Sequence, residues 1–73
     1  MDIKVKVGLR IKEIRIKKKI TQETLANITG LDRTFISHIE SGKRNVALET
    51  LEKILFGLGI DFSTFFSRKH FNS

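Results

Sequence analysis

The sequence predicts an all-α fold, in which residues 1–73 form one domain of five helices. Apolar side chains recur at steps of three and four residues along most of the chain, a spacing typical of helices with one buried face. No proline is present to interrupt a helix. The stretch Thr21–Asn45 further indicates two short helices joined by a tight turn. Because a chain of this length has room for a single hydrophobic core, no second domain is expected.

The first helix is predicted to run from Val7 to about Lys19. Val7, Ile11 and Ile14 form an apolar stripe with steps of four and three residues, and cations near Lys19 suit the negative end of the helix dipole. The preceding segment Met1–Val7 alternates apolar and polar residues, a period of two that indicates a short strand or an extended arm. An irregular first turn of the helix fits this segment equally well.

The second helix is predicted to run from Gln22 to Thr29, between two local signals. The hydroxyl of Thr21 can accept a hydrogen bond from a free N–H group of the first turn. Gly30 follows the last turn, where helices often end in a left-handed residue that glycine adopts without steric cost. The sequence therefore predicts both ends of this helix.

The third helix is predicted to span about Arg33–Ser41, with Asp32 as its N-cap and Gly42 after its end. Ile36 and Ile39 supply its buried edge. Two short helices joined by a glycine-containing turn form a helix-turn-helix, whose second helix lies in the DNA major groove in known complexes. The helix pair is therefore a candidate DNA-binding unit.

Two more helices are predicted in the C-terminal third of the chain. The fourth begins after Ala47, which offers no capping oxygen at a cost of about 1 kcal/mol, and it ends at Gly59. Asp61 is a better N-cap for the fifth helix, from Phe62 to about Ser67. The inward positions of the fourth helix are predicted to be Leu48, Leu51, Ile54, Leu55 and Leu58.

The chain is strongly basic, with a formal net charge of +6 and a pI of about 10.1. Such a surplus on a small domain favours nucleic acid, an anionic membrane face or an acidic protein as the partner. The membrane is disfavoured, because the apolar stripe of the first helix is needed for the core. No apolar run is long enough to span a bilayer, and the N-terminus lacks the apolar region of a secretory signal. We therefore expect a cytoplasmic protein.

Catalytic, metal and cofactor sites are not expected. The absence of cysteine removes disulfides and thiolate ligands. His38 is not expected to bind a metal, because His70 is distant in sequence and no cysteine assists. The two histidines have no matching nucleophile and the chain has no glycine-rich phosphate loop, so we expect no enzymatic activity.

The helix pair and the segments after it resemble a known family. Gln22 opens the motif, Ala26 is the small residue at the helix crossing, and Gly30 is the turn. The apolar positions of the motif are occupied by Leu25, Leu31, Ile36 and Ile39. Together with the strings ESGKRN and LETLEKILFGLGIDFSTFF, residues from about Val7 to Phe66 resemble the Cro-like phage repressors, also called the Xre family. The resemblance implies a compact lambda-repressor-like domain with helices 2 and 3 as the helix-turn-helix.

Within this family, the string LDRTFISHIESGKRN is most similar to the controller proteins of bacterial restriction–modification systems. That similarity implies a regulator of its own operon, which activates at low occupancy and represses when a second dimer binds. A phage-type or antitoxin-like repressor is the alternative. The family resemblance also implies a partly buried ion pair between Arg15 and Glu40, which would connect helix 1 to helix 3.

The outward side of the third helix is the predicted base-contacting surface. Arg33 can donate to guanine O6 and N7, and Thr34 can contact a thymine methyl or a base edge. Ser37 and His38 lie one turn further along the same side. Phe35 is predicted to project partly outward, against a sugar, a thymine methyl or a kinked base step; alternatively, it packs back on helix 2 or on Lys43.

Residues on either side of this helix are predicted to contact phosphates. Thr21 and Gln22 lie at the positive end of helix 2, where N–H groups favour an anion. Lys43, Arg44 and Asn45 lie in the loop after helix 3 and would contact the backbone on the other side of the groove.

The C-terminal aromatic residues exceed what the core of a small domain can easily bury, and exposed apolar patches usually mark an interface. We therefore expect a dimerisation region at about residues 47–67. Its predicted contacts are Leu55, Phe56, Leu58, Phe62 and Phe66. The alternative is that Phe62 and Phe65 only close the core of their own domain.

These observations favour a homodimeric, sequence-specific regulator that binds an inverted repeat in double-stranded DNA. RNA polymerase is a further candidate partner, with the acidic residues Glu23, Glu49 and Glu52 as possible contacts. A protein-interaction module on the same fold, with an apolar face for a partner such as a toxin, is the competing hypothesis.

Overall fold

The computed structural model describes residues 2–71, and every regular element in that range is an α-helix. Its elements are α1 (Ile3–Lys17), α2 (Gln22–Thr29), α3 (Arg33–Glu40), α4 (Leu48–Leu58), α5 (Phe62–Phe65) and α6 (Arg68–Phe71). The described residues include no strand, so the all-α prediction is confirmed. The short helix α6 was not predicted, and α5 ends two residues before the predicted boundary.

Helix α1 begins four residues earlier than predicted. The side chain of Asp2 accepts a hydrogen bond from the backbone N–H of Lys4 at 2.8 Å and caps the first turn. The N-terminal segment is therefore helical, and the strand or extended arm is ruled out for its described residues; Met1 lies outside them. The helix ends at Lys17, and Lys19 has a left-handed backbone with φ of 59°. This reversal directs the chain into α2.

The predicted boundaries of the helix pair are confirmed almost to the residue. The Thr21 hydroxyl accepts from the N–H of Thr24 at 3.0 Å, and Asp32 accepts from the N–H of Thr34 at 3.1 Å. Gly30 has a φ of 75° and ends α2 in the left-handed conformation. Helix α3 ends at Glu40, one residue sooner than predicted.

A single core lies between the helices, with α1 packed on α3 and α2 packed on both α3 and α4. Its buried apolar residues are Val7, Ile11, Ile14, Leu25, Ala26, Ile36, Ile39, Leu51, Ile54, Leu55, Leu58 and Phe65. Gly8 makes the close approach of α1 to α3 possible, because a Cβ there would overlap the carbonyl oxygen of Ile39. This role of Gly8 was not predicted from the sequence, since it depends on which helix crosses α1.

Helix α4 departs from the predicted pattern at its first residue. Ala47 makes no side-chain capping bond, as predicted. Leu48 is 72% exposed, so its predicted burial is wrong. It occupies the first position of the helix, where it lines a shallow surface groove with Ile3 and Phe66. The prediction that Leu55 and Leu58 contact a second copy is also wrong, because each is only 2% exposed within the core of its own chain.

Arg10 connects α1 to the C-terminal part of the domain. Its guanidinium donates to the backbone oxygens of Thr64 and Phe65, both at 3.2 Å, and to the carboxylate of Glu13 at 2.7 Å. The Arg10 hydrogen bond lowers the pKa of Glu13 below its ordinary value of 4.5. Arg10 therefore satisfies carbonyl groups at the end of α5 and fixes that helix against α1. Phe71 of α6 then packs on Phe65, with 5.7 Å between ring centroids.

Candidate nucleic-acid interface

The N-terminal half of α3 presents a polar edge to solvent. Arg33 and Thr34, in the first turn, are exposed, and Ser37 and His38 are half-buried one turn later. The side chains of Arg33 and Thr34 form no hydrogen bond or ion pair with another residue between positions 2 and 71. Their donors are therefore available to a ligand, as sequence-specific contact with base edges requires.

Phe35 is less exposed than predicted. It is half-buried and packs against the core, so the alternative of inward packing describes it better than projection into solvent. The guanidinium carbon of Arg44 lies 5.0 Å from the centroid of its ring, a geometry in which the cation is attracted to the aromatic face. The residue that covers Phe35 is thus Arg44, whereas the sequence analysis considered Lys43. This contact holds the loop arginine close to the exposed edge of α3.

The loop between α3 and α4 adds positive charge on one side of this edge. Lys43, Arg44 and Asn45 are all exposed. Gly42, immediately before them, has a φ of 77° and lies against the backbone of Val5, where a Cβ would come within 2.8 Å of a Val5 methyl group. The close approach of α1 therefore fixes the start of the loop, and the three polar side chains follow from that point.

The start of α2 lies near the C-terminal end of α3, and both of its predicted phosphate ligands have intramolecular roles. The Thr21 hydroxyl caps the helix and donates to the hydroxyl of Thr24 at 2.9 Å. The side-chain amide of Gln22 is half-buried and donates to the carboxylate of Glu40 at 3.1 Å. The sequence analysis did not find this second bond, because Gln22 and Glu40 are 18 residues apart.

The ion pair implied by the family resemblance is present, and it is more deeply buried than expected. Arg15 Nε lies 2.7 Å from Glu40 Oε2, and Arg15 Nη2 lies 3.0 Å from Glu40 Oε1. Glu40 is 4% exposed and Arg15 is 9% exposed. A third guanidinium nitrogen of Arg15, Nη1, donates to the backbone oxygen of Ile20 at 2.8 Å. One arginine therefore connects the end of α3 to the segment that enters α2.

The residues predicted to form a dimer interface separate into three groups. Leu55 and Leu58 are in the core, as described above. Phe62 and Phe66 stack with 6.5 Å between ring centroids, and Phe66 shares its groove with the exposed side chains of α1 and α4. We call the contiguous surface of Ile3, Leu48, Phe62 and Phe66 the apolar face.

Phe56 lies apart from the apolar face. It is 85% exposed and lines a different groove between α2 and α4, together with Ile28, Thr29, Glu52 and Lys53. Because Phe56 and Phe66 border separate grooves, they belong to two different apolar surfaces. The sequence had predicted one interface for both.

Metal-binding clusters and membrane-spanning helices are absent from the part of the chain that the structure describes. Between positions 2 and 71, no group of three or more His, Cys, Asp or Glu residues is arranged to hold a metal ion. In that part of the chain, no helix has both the length and the apolar character needed to cross a bilayer.

Comparisons with known proteins agree with this geometry. A profile of the helix-turn-helix family matches residues 11–65. Control protein C.MunI from Mycoplasma sp is 51% identical over 67 residues, which is 90% of each chain. Control protein C.BamHI from Bacillus amyloliquefaciens is 41% identical over 70 residues, 86% of each chain. The restriction–modification controller protein C.Esp1396I, solved as a tetramer in complex with its natural 35 base-pair operator, has a TM-score of 0.86. It is 44% identical, over 90% of this chain and 87% of that chain. The chain therefore belongs to the Cro-like (Xre) helix-turn-helix family of DNA-binding regulators and is similar within it to the control proteins of restriction–modification systems.

Proposed function

We propose that this chain is a sequence-specific transcriptional regulator that controls a restriction–modification operon, including its own expression. The observation that carries the proposal is the exposed edge of α3, on which the side chains of Arg33 and Thr34 are available to bases. The likeness to C.Esp1396I, which was solved on its operator, supports it. Residues 1–73 act as one DNA-binding domain in the cytoplasm, without enzymatic activity.

The base contacts are assigned to α3 and the phosphate contacts to its flanks. Arg33 and Thr34 contact base edges in the major groove, and Ser37 and His38 lie beside them at the groove wall. Phe35 supports this edge and brings Arg44 near the backbone. The phosphate contacts come from Thr21, Gln22, Lys43, Arg44 and Asn45. Contacts from these residues to the phosphate backbone set the position of α3 in the groove without specifying sequence.

The functional unit is a homodimer formed through the apolar face. A single α3 contacts too few base pairs to be selective, whereas two copies related by a twofold axis contact an inverted repeat with half-sites about one helical turn apart. Burial of Phe62 and Phe66 against a second copy removes exposed aromatic surface from water. Dimers on neighbouring operator sites would then allow activation at low occupancy and repression at high occupancy.

RNA polymerase is the proposed partner for activation. Glu23, Glu49 and Glu52 are exposed on α2 and α4, so their carboxylates are accessible to a partner protein. A toxin-like protein partner on the apolar face is the competing proposal, and it requires no sequence-specific DNA binding.

The test is selection of bound duplexes from random DNA, followed by anisotropy titrations of the selected duplex and a scrambled duplex. Wild type should select an inverted repeat. Replacing Arg33→Ala and Thr34→Ala together should reduce the preference for the selected duplex by roughly tenfold or more per subunit, since a good base contact contributes about 1–3 kcal/mol of discrimination.

The matched control is Lys53→Ala, which also removes one positive charge but lies in the groove between α2 and α4. It should keep the sequence preference. The absence of any selected sequence, or an unchanged preference in the Arg33→Ala/Thr34→Ala variant, would contradict the proposed function and favour the protein-interaction module.

A further inference from the structure

Glu40 is the last residue of α3. Its two carboxylate oxygens accept three hydrogen bonds. Arg15 Nε donates to Oε2 at 2.7 Å. Oε1 accepts from both Arg15 Nη2 at 3.0 Å and Gln22 Nε2 at 3.1 Å. Gln22 is the first residue of α2 and a proposed phosphate ligand. The buried carboxylate of Glu40 on α3 therefore binds the side-chain amide of Gln22 on α2.

The chemistry of Glu40 determines which end of the Gln22 amide faces inward. An ionised carboxylate only accepts hydrogen bonds, and the amide of glutamine donates only through its nitrogen. The nitrogen must therefore point towards Glu40, and one of its two N–H groups is used there. The other N–H diverges from it within the amide plane and remains available beside the start of α2.

The negative charge of Glu40 does not repel DNA, because Arg15 neutralises it within the same buried network. Arg15 also donates to the backbone oxygen of Ile20, two residues before Gln22. The guanidinium that balances Glu40 therefore also fixes the backbone that leads into α2. Arg15, Glu40 and Gln22 therefore form one hydrogen-bond network. Within such a network, each hydrogen bond polarises and strengthens its neighbours.

We propose that Glu40 is a positioning residue for DNA binding: it orients the Gln22 amide so that the second N–H donates to a phosphate at the start of α2. The proposal rests on the proposed function and deepens it. Glu40 at the end of α3 would thus be coupled to the contact that Gln22 of α2 makes with a DNA phosphate. Without Glu40, the amide can rotate and present its oxygen to the phosphate, which repels it.

A double-mutant cycle on DNA affinity tests this coupling. Glu40→Gln keeps the shape of the side chain and removes the acceptor-only carboxylate, and Gln22→Met keeps length and removes the amide. Glu40→Gln should weaken binding to the selected duplex about tenfold per subunit in the wild-type background, the loss expected for one hydrogen bond to a charged group. In the Gln22→Met background, the same substitution should change affinity by less than about twofold.

A purely structural role of Glu40 predicts a different result, in which Glu40→Gln weakens binding equally in both backgrounds. That outcome would overturn the proposal. Circular dichroism of each variant at the titration temperature shows that folded protein is being compared. If wild type binds no selected duplex, the proposed function itself fails; if wild type binds but the cycle shows no coupling, only the role of Glu40 fails.

A second measurement uses wild type alone, so it does not depend on the stability of Glu40→Gln. Gln22 is the only glutamine in the chain, so its side-chain amide can be labelled selectively with nitrogen-15. In the free protein, one N–H proton should be protected by Glu40. Added operator duplex should shift the second proton while the first stays protected. If the first proton loses its protection on DNA binding, Gln22 leaves Glu40 and the proposal is wrong.

Discussion

Replacement of Arg15 by alanine should strongly destabilise the fold, and the structure shows why. The substitution removes both Arg15 hydrogen bonds to Glu40 and the bond to the backbone oxygen of Ile20. Glu40, which is 4% exposed in the intact protein, then keeps only the neutral amide of Gln22 as a side-chain partner. A buried carboxylate without a counter-charge cannot recover its lost hydration in place, so the folded state must rearrange or admit water.

The magnitude is large relative to the total stability of such a small domain. Breaking a buried ion pair by removing one partner costs about 3–5 kcal/mol. At roughly 0.05–0.15 kcal/mol per residue, a chain of this length has a free energy of unfolding of only about 4–11 kcal/mol. Since each 1 kcal/mol lowers the Tm of a domain of this size by about 4–8 °C, Arg15→Ala should melt at least about 12 °C below wild type.

The assay is thermal unfolding followed by far-ultraviolet circular dichroism, at one protein concentration for all variants because the proposed dimerisation would shift Tm. Lys12→Ala, an exposed position on the same helix, is the control and should stay within about 0.5 kcal/mol of wild type. The variant Arg15→Met/Glu40→Leu should melt higher than Arg15→Ala, since it leaves no stranded charge. An Arg15→Ala variant that melts within about two degrees of wild type would refute the reasoning.

Two further outcomes are expected. Gly8→Ala should lower the free energy of unfolding by about 1–3 kcal/mol, because the added methyl group meets backbone at the α1–α3 crossing; an unchanged or higher Tm, as helix propensity alone would give, contradicts this. Phe66→Glu should convert the dimer to monomer at tens of micromolar, about the range in which wild type should associate, whereas Phe56→Glu should leave it dimeric. Sedimentation velocity distinguishes them, and dimerisation lost only in Phe56→Glu would move the interface to the α2–α4 groove.

Local signals in the sequence predicted most of the secondary structure. The caps Thr21, Asp32 and Asp61 and the left-handed Gly30 and Gly59 act within a few residues of their own position. Their partners are backbone groups of the adjacent turn, so no tertiary information is needed to recognise them. The start of α1 was missed because the alternating residues at the N-terminus fit both a strand and a helix; the N-cap Asp2 is the local signal that could have distinguished them.

The exposed polar residues of the candidate interface were also predictable, because a helix of known buried edge leaves its other side to solvent. Arg33 and Thr34 therefore lie where the pattern of Ile36 and Ile39 placed them. Leu48 shows the limit of such reasoning. Its spacing matches the buried stripe of α4, yet its side chain is 72% exposed at the first position of that helix.

The class of fold, the helix pair and the exposed polar edge of α3 were predictable from the sequence, since each follows from periodicity and capping over short distances. The side chains that support the edge of α3 could be identified only from the tertiary packing. Gln22 meets Glu40, Arg44 covers Phe35, and Phe56 separates from Phe66, in each case because chain segments that are not neighbours in sequence pack together. Such contacts cannot be recognised from the sequence, because the residues next to a side chain in the chain do not indicate which distant residue will pack against it.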